Sequence, residues 1–125
     1  HWQRPPLFPE AREFFARCPV PIYIVSNIDR KDIQEAIRFH ALGPRSVFTS
    51  EDARAYKPNR VLFQHALAAV GLAPGDVLHI GDSLTSDVRG AADCGIPALW
   101  LNRSRRAVPN GIEAADNLLA ALGML

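Results

Sequence analysis

The 125 residues hold two cysteines and one methionine, and 14 Lys and Arg almost cancel 13 Asp and Glu, for a formal charge of +1. So even a balance supplies no bulk field for nucleic acid or a membrane surface. Cys18 and Cys94 lie far apart, in no metal-ligand or redox spacing. They read as small thiols of a reducing compartment rather than as a disulfide. His1, His40, His65 and His79 form no cluster with them, which argues against zinc. No apolar run approaches the roughly 20 residues of a membrane span, and the N-terminus has no signal-peptide pattern, so a cytoplasmic setting is the expectation. Without a secretory signal the glycosylation tripeptide Asn102-Arg103-Ser104 carries no meaning. There is no internal repeat, no G-x-G-x-x-G and no phosphate-loop lysine motif, which removes the common nucleotide-binding fingerprints. The chain begins without methionine, as a trimmed or processed chain would.

What is present is globular: 48% of the residues are hydrophobic and 22% charged. A single domain of about this length buries roughly two-thirds of its unfolded surface. Residues 1–20, the first nine of which carry three prolines, are read as a linker with a short leading helix from Pro9 to Arg17, and residues 21–125 as the core domain. From Pro21 onward, apolar runs alternate with amphipathic ones. The runs at Ile22 to Val25, Ser46 to Thr49, Val77 to Ile80 and Ala98 to Leu101 are short, mostly β-branched or aromatic, and apolar without alternation, which predicts strands covered on both faces.

Helical stretches follow each of them. One is predicted from Asp29 to Ala41 with Gly43 as its stop, one from Pro58 to Gly71, one from about Thr85 to Cys94 ending at Gly95, and a closing one from Glu113 to Leu122. Strands alternating with helices imply parallel pairing through right-handed crossovers, hence an α/β fold with a doubly wound parallel sheet.

In such sheets the binding crevice lies beyond the carboxyl ends of the strands. Three segments there carry candidate residues. Ser26-Asn27 ends the first strand: its hydroxyl and backbone amides suit a phosphoryl oxygen, and equally an ordinary turn into a helix. Lys57 stands before Pro58 and could deliver a point charge, although surface lysines are far commoner. Gly81-Asp82-Ser83 ends the third strand, with Asp87 following. The two acids straddle a strand-to-helix turn, as suits a small hard cation such as magnesium that keeps several waters. Capping by Asp82 or Ser83 is the ordinary alternative; it accounts for one acid but not for both with the glycine.

Taken together, Val25-Ser26-Asn27, Lys57-Pro58 and Gly81-Asp82-Ser83 with Asp87 resemble, in order and separation, the second, third and fourth motifs of the haloacid dehalogenase-like hydrolases. The segments from Phe63 to Gly71 and from Asp76 to Trp100 are similar to the subfamily whose helical cap is inserted early in the chain. The resemblance covers Pro21 to about Asn102. It implies that Ser26 and the Asn27 backbone hold a transferring phosphoryl group, that Lys57 steadies it and the nucleophile, that Asp82 ligates Mg2+, and that Asp87 ligates the ion or holds its water. The implied activity is magnesium-dependent hydrolysis of a small phosphorylated metabolite through an aspartyl-phosphate. On this reading Lys57→Ala slows the reaction and leaves melting almost unchanged.

One part of the family pattern is missing. The aspartate nucleophile and the acid/base aspartate two residues later have no match before Ser26, where Glu10 and Glu13 are the only acids. The chain therefore resembles the C-terminal part of the core, without the first central strand and the cap, and by itself is expected to be inactive. The strands ending at Ser26 and Asp82 would flank that strand. Their edges are expected to pair with each other, to meet another chain, with an edge-to-edge homodimer favoured, or to be covered by a segment outside these residues. Two other readings stand beside the phosphatase. A metal-free haloacid dehalogenase shares the scaffold but usually lacks an acid at the Asp82 position, and a non-catalytic binding module would retain only the fold.

Overall fold

The computed structural model describes residues 9–27, 34, 44–57 and 59–125. The helix expected from Asp29 to Ala41, Pro58 and most of the leading linker lie outside these residues. The leading helix, α1, runs Pro9–Arg17. Strand β1 (Tyr23–Ser26) pairs in parallel with β2 (Ser46–Thr49), Tyr23 opposite Ser46 and Ser26 opposite Thr49. A second sheet has β3 (His79–Gly81), β4 (Ala98–Leu101) and β5 (Glu113–Ala115), again all parallel, in the order β3-β4-β5.

Parallel neighbours need crossovers, and among the described residues a helical one joins β3 to β4. A short α2 (Ser50–Ala53) leaves β2, and α3 (Arg60–Val70) leads toward β3. A π-helical turn, Leu84–Arg89, runs into α4 (Gly90–Asp93) between β3 and β4. Last comes α5 (Leu118–Leu122), on which α1 packs. No helix of the described residues is long and apolar enough to cross a membrane.

Adjacent residues of a strand point to opposite faces. In β4, Ala98 joins a cluster of Phe63, Ala91 and Ile96, while Leu99 joins Ala115, Ala121 and Ile80. The β3-β4-β5 sheet is therefore covered on both faces, which is why β4 reads as an unbroken apolar run. Helix α3 covers one of those faces with Phe63 and also packs against β1 and β2. Burial of a side chain such as Phe63 contributes about 1.5–3 kcal/mol.

Several expected boundaries move. The first strand shifts one residue, to Tyr23–Ser26, because β2 begins at Ser46; Ile22 instead accepts a hydrogen bond from the Arg45 amide at 2.7 Å. The third starts at His79 rather than Val77. The His79 amide donates to the Pro97 carbonyl at 2.9 Å, and Pro97 has no N–H with which to extend the ladder backward.

The third helix starts at Arg60, since Asn59 Oδ1 accepts the Val61 amide at 2.9 Å and caps it there; Gly71, at φ 71°, closes it as expected. The closing helix is divided. Glu113, Ala114 and Ala115 favour helix intrinsically, but pairing with β4 draws them into a strand, and Asn117 then caps the shorter α5. Helix α2 was not expected: Thr49 and Asp52 form a reciprocal capping box, with bonds of 3.1 and 3.0 Å. Direct pairing of β1 with β3, one of the three arrangements considered for their edges, does not occur among the described residues.

Candidate active site

The carboxyl ends of β1 and β3 are joined by one side chain. Lys57 Nζ donates to the Val25 carbonyl at 3.2 Å and to Asp87 Oδ1 at 2.6 Å. Its backbone is fixed from the other direction by Asn27. The Asn27 amide group donates to the Lys57 carbonyl at 3.2 Å, and Asn27 Oδ1 accepts the Lys57 N–H at 2.7 Å. The Asn27 side chain thus holds the lysine, which leaves its own backbone and the half-buried Ser26 for the crevice side of β1.

Asp87 is 5% exposed and accepts from three donors of the protein. Besides Lys57, Oδ1 lies 3.0 Å from His79 Nε2, and Oδ2 accepts the Ser83 amide at 3.1 Å. Three donors occupy three of about four lone-pair positions on the carboxylate. Burial pushes the Asp87 pKa upward, but hydrogen bonds from His79 and Lys57, reinforced by their charges, outweigh it and hold the carboxyl well below the usual range.

Local geometry explains how an acid comes to sit so deep. The Ser83 carbonyl accepts both the Asp87 amide at 3.0 Å and the Val88 amide at 3.1 Å, the second bond spanning five residues in the π manner. That wide turn directs Asp87 back toward β3. Gly81 admits it: a Cβ at that position would fall inside the Asp87 carboxyl group.

Capping at this turn falls to Ser83, whose Oγ accepts the Ser86 amide at 3.0 Å. Asp82 is therefore not needed as a cap. Its side chain is exposed and has no hydrogen bond or ion pair among the described residues. Its main chain is anchored by the indole N–H of Trp100, 3.1 Å from the Asp82 carbonyl. Trp100 is 1% exposed and carries the Arg106 guanidinium 5.1 Å from its ring centre.

Of the residues singled out in the sequence, Lys57 and Asp87 meet directly, Asn27 clamps Lys57, and Ser26 and Asp82 stand one residue beyond Val25 and Gly81. Sequence reasoning missed His79 and Trp100. His79 has a signal in hindsight, because it stands two residues before Gly81 on a strand and so shares its face. Among the described residues no three His, Cys, Asp or Glu side chains gather. An Mg2+ ion here would be met by one or two carboxylates and would draw its other oxygens from water, substrate or chain beyond this set, which is its ordinary habit.

These features sit on a chain that belongs to the haloacid dehalogenase-like hydrolases, whose family model matches residues 2–95. Its curated relatives include phosphatases. It is 33% identical over 123 residues to a phosphoserine phosphatase of Thermus thermophilus, covering 93% of this chain and 48% of that one. It is 30% identical to the N-acylneuraminate-9-phosphatase of Mus musculus, covering 72% of this chain and 38% of that one. The chain thus spans about half the length of these relatives, or less. Among solved structures, a HAD phosphatase from Thermococcus onnurineus superposes with a TM-score of 0.84 at 24% identity, over 94% of this chain and 57% of that one. A dehalogenase with an intermediate complex gives 0.90 at 21%, over 99% and 58%. At such identities these two support the fold alone.

Proposed function

We propose that the full natural chain containing these residues is a magnesium-dependent phosphatase that hydrolyses a small phosphate monoester through an aspartyl-phosphate. The observation that carries this reading is the buried Lys57–Asp87 pair, with Asp87 packed on Gly81 and, next in the chain, an exposed Asp82 whose side chain no described residue engages. In the proposed arrangement the Ser26 hydroxyl and the Asn27 N–H hold the phosphoryl oxygens. The Lys57 ammonium neutralises charge on that group as it transfers. Asp82 is the principal ligand of Mg2+, and Asp87 holds Lys57 in place, with its remaining lone pair directed to the ion or its water. Bound there, Mg2+ would contribute charge neutralisation on the phosphoryl oxygens. Positioning and charge compensation of this kind supply most of phosphoryl-transfer catalysis.

The nucleophile is assigned to chain outside the 125 residues, in agreement with the span of the curated relatives. The edges of β1 and β3, which no described strand covers, are where such a segment would join; a second copy meeting edge to edge is the other arrangement. The relatives' printed substrates are phosphoserine, an N-acylneuraminate 9-phosphate and, for a protein of Escherichia coli 34% identical over 83 residues, a pyrimidine 5'-nucleotide, all small phosphate monoesters.

The test is phosphate release from p-nitrophenyl phosphate by the full natural chain, with Mg2+ and with chelator, beside chloride release from 2-chloropropionate. Magnesium-dependent phosphate release supports the proposal. Metal-independent chloride release alone would replace it with a dehalogenase, and neither reaction, with phosphate still binding, would leave a binding module.

A further inference from the structure

We propose that His79 is a positioning residue of this site, acting through Asp87 on Lys57; the inference rests on the phosphatase reading above. Two nitrogens converge on Asp87 Oδ1, the Lys57 ammonium at 2.6 Å and His79 Nε2 at 3.0 Å. A carboxylate oxygen only accepts, so the proton on His79 is assigned to Nε2 by its partner's chemistry. The two donors differ in stiffness. Lys57 reaches Oδ1 along a flexible four-carbon stem. The His79 ring is mounted on β3 and meets Phe63 edge to face, with centroids 5.1 Å apart and planes at 88°. Phe63 is itself 2% exposed, inside the core cluster under α3.

Oδ2 is set by the Ser83 main chain and Oδ1 by the imidazole, so both oxygens are referred to rigid backbone. Lys57 then docks on a fixed acceptor. Without the ring, Oδ1 would keep only the flexible partner, and the carboxylate and ammonium could move together while their ion pair persisted. Groups that hold a ligand or catalytic side chain from behind in this way typically affect metal affinity or activity by about 10–100-fold.

The experiment uses the full natural chain as wild type, His79→Leu, His79→Asn, His79→Gln and Lys57→Ala. It measures kcat and KM for p-nitrophenyl phosphate at saturating Mg2+, Mg2+ affinity by calorimetry, and melting temperature. His79→Leu should lower kcat about tenfold or more with KM within about twofold, and weaken Mg2+ binding about tenfold. His79→Gln places an amide N–H near the Nε2 position and should recover both quantities to within about threefold of wild type. His79→Asn is too short to reach Oδ1, should behave as His79→Leu does, and gives the same contrast if the leucine variant does not accumulate. Wild-type kcat and Mg2+ affinity in His79→Leu or His79→Asn would overturn the proposal, as would losses in all three variants that merely follow melting temperature. If the wild type releases no phosphate, the phosphatase reading fails separately. The Gln-against-Asn contrast in Mg2+ affinity then still decides the positioning role.

Discussion

Lys57 Nζ and Asp87 Oδ1 stand 2.6 Å apart across 30 residues of sequence, and both side chains are nearly out of water, at 11% and 7% exposure. An ion pair so buried behaves unlike a surface one: removing one partner leaves the other charge desolvated, at a cost of about 3–5 kcal/mol.

Lys57→Ala is therefore expected to destabilise the full natural chain by about 3 kcal/mol as well as stop turnover. This replaces the expectation from sequence that melting would hardly change. Chemical denaturation of Lys57→Ala, Asp87→Asn and the double variant is the check. The double variant should be much less destabilised than the sum of the singles, because its charges disappear together; additive losses would show that the two groups act independently.

The acid limb of stability should carry the signature of Asp87. Its folded pKa is depressed by His79 and Lys57 despite burial, whereas an unfolded aspartate titrates near about 3.9. Below about pH 4 the unfolded chain takes up a proton that the folded chain refuses, so the stabilisation present at neutral pH is lost as pH falls. Asp87→Asn should flatten that limb by up to about 1.4 kcal/mol per pH unit between about pH 4 and 2. Denaturation midpoints across that range measure it, and an unaltered acid slope would contradict the assignment.

Asp82→Asn should lose about 100-fold or more of its metal-dependent rate, the equivalent of several kcal/mol of charge stabilisation. It should melt like wild type, because the Asp82 side chain is exposed and carries no hydrogen bond or ion pair among the described residues. Retention of full activity would remove Asp82 from the proposed metal site.

Trp100 offers an optical view of the same acid. Its indole N–H binds the Asp82 carbonyl at 3.1 Å, so Mg2+ uptake at Asp82 should change tryptophan emission. Trp100→Phe should abolish that change and cost about 1 kcal/mol for the lost hydrogen bond, to which the cavity left by the smaller ring adds. An emission response that survives in Trp100→Phe would mean that the ion is sensed elsewhere.

How far the sequence could be read depended on whether the information was local. Ser46–Thr49 and Ala98–Leu101 were legible to the residue, since each is an apolar run bounded by turn-forming residues. That Lys57 and Asp87 would approach one another was legible, because polar side chains near strand ends in parallel sheets converge on one rim. The strand at Glu113–Ala115 was not, because its cause is the edge of β4 and not anything in Glu-Ala-Ala. Neither was His79: an isolated histidine in an apolar run looks the same whether it faces oil or a carboxylate, and only the path of the Leu84–Arg89 turn decides which. The role of the Asn27 side chain was hidden for the same reason, its partner lying 30 residues downstream.

The π turn between Ser83 and Asp87 also bears on how this scaffold can be altered. Successive residues advance about 100° around a helix axis, so deleting one residue from Leu84 to Ser86 would swing the acid by roughly that angle. Its carboxylate would then leave Lys57, His79 and the Ser83 amide together. Loop-length libraries built on this fold should accordingly treat that junction as a combination lock with one setting, and place their insertions downstream of Leu101 instead.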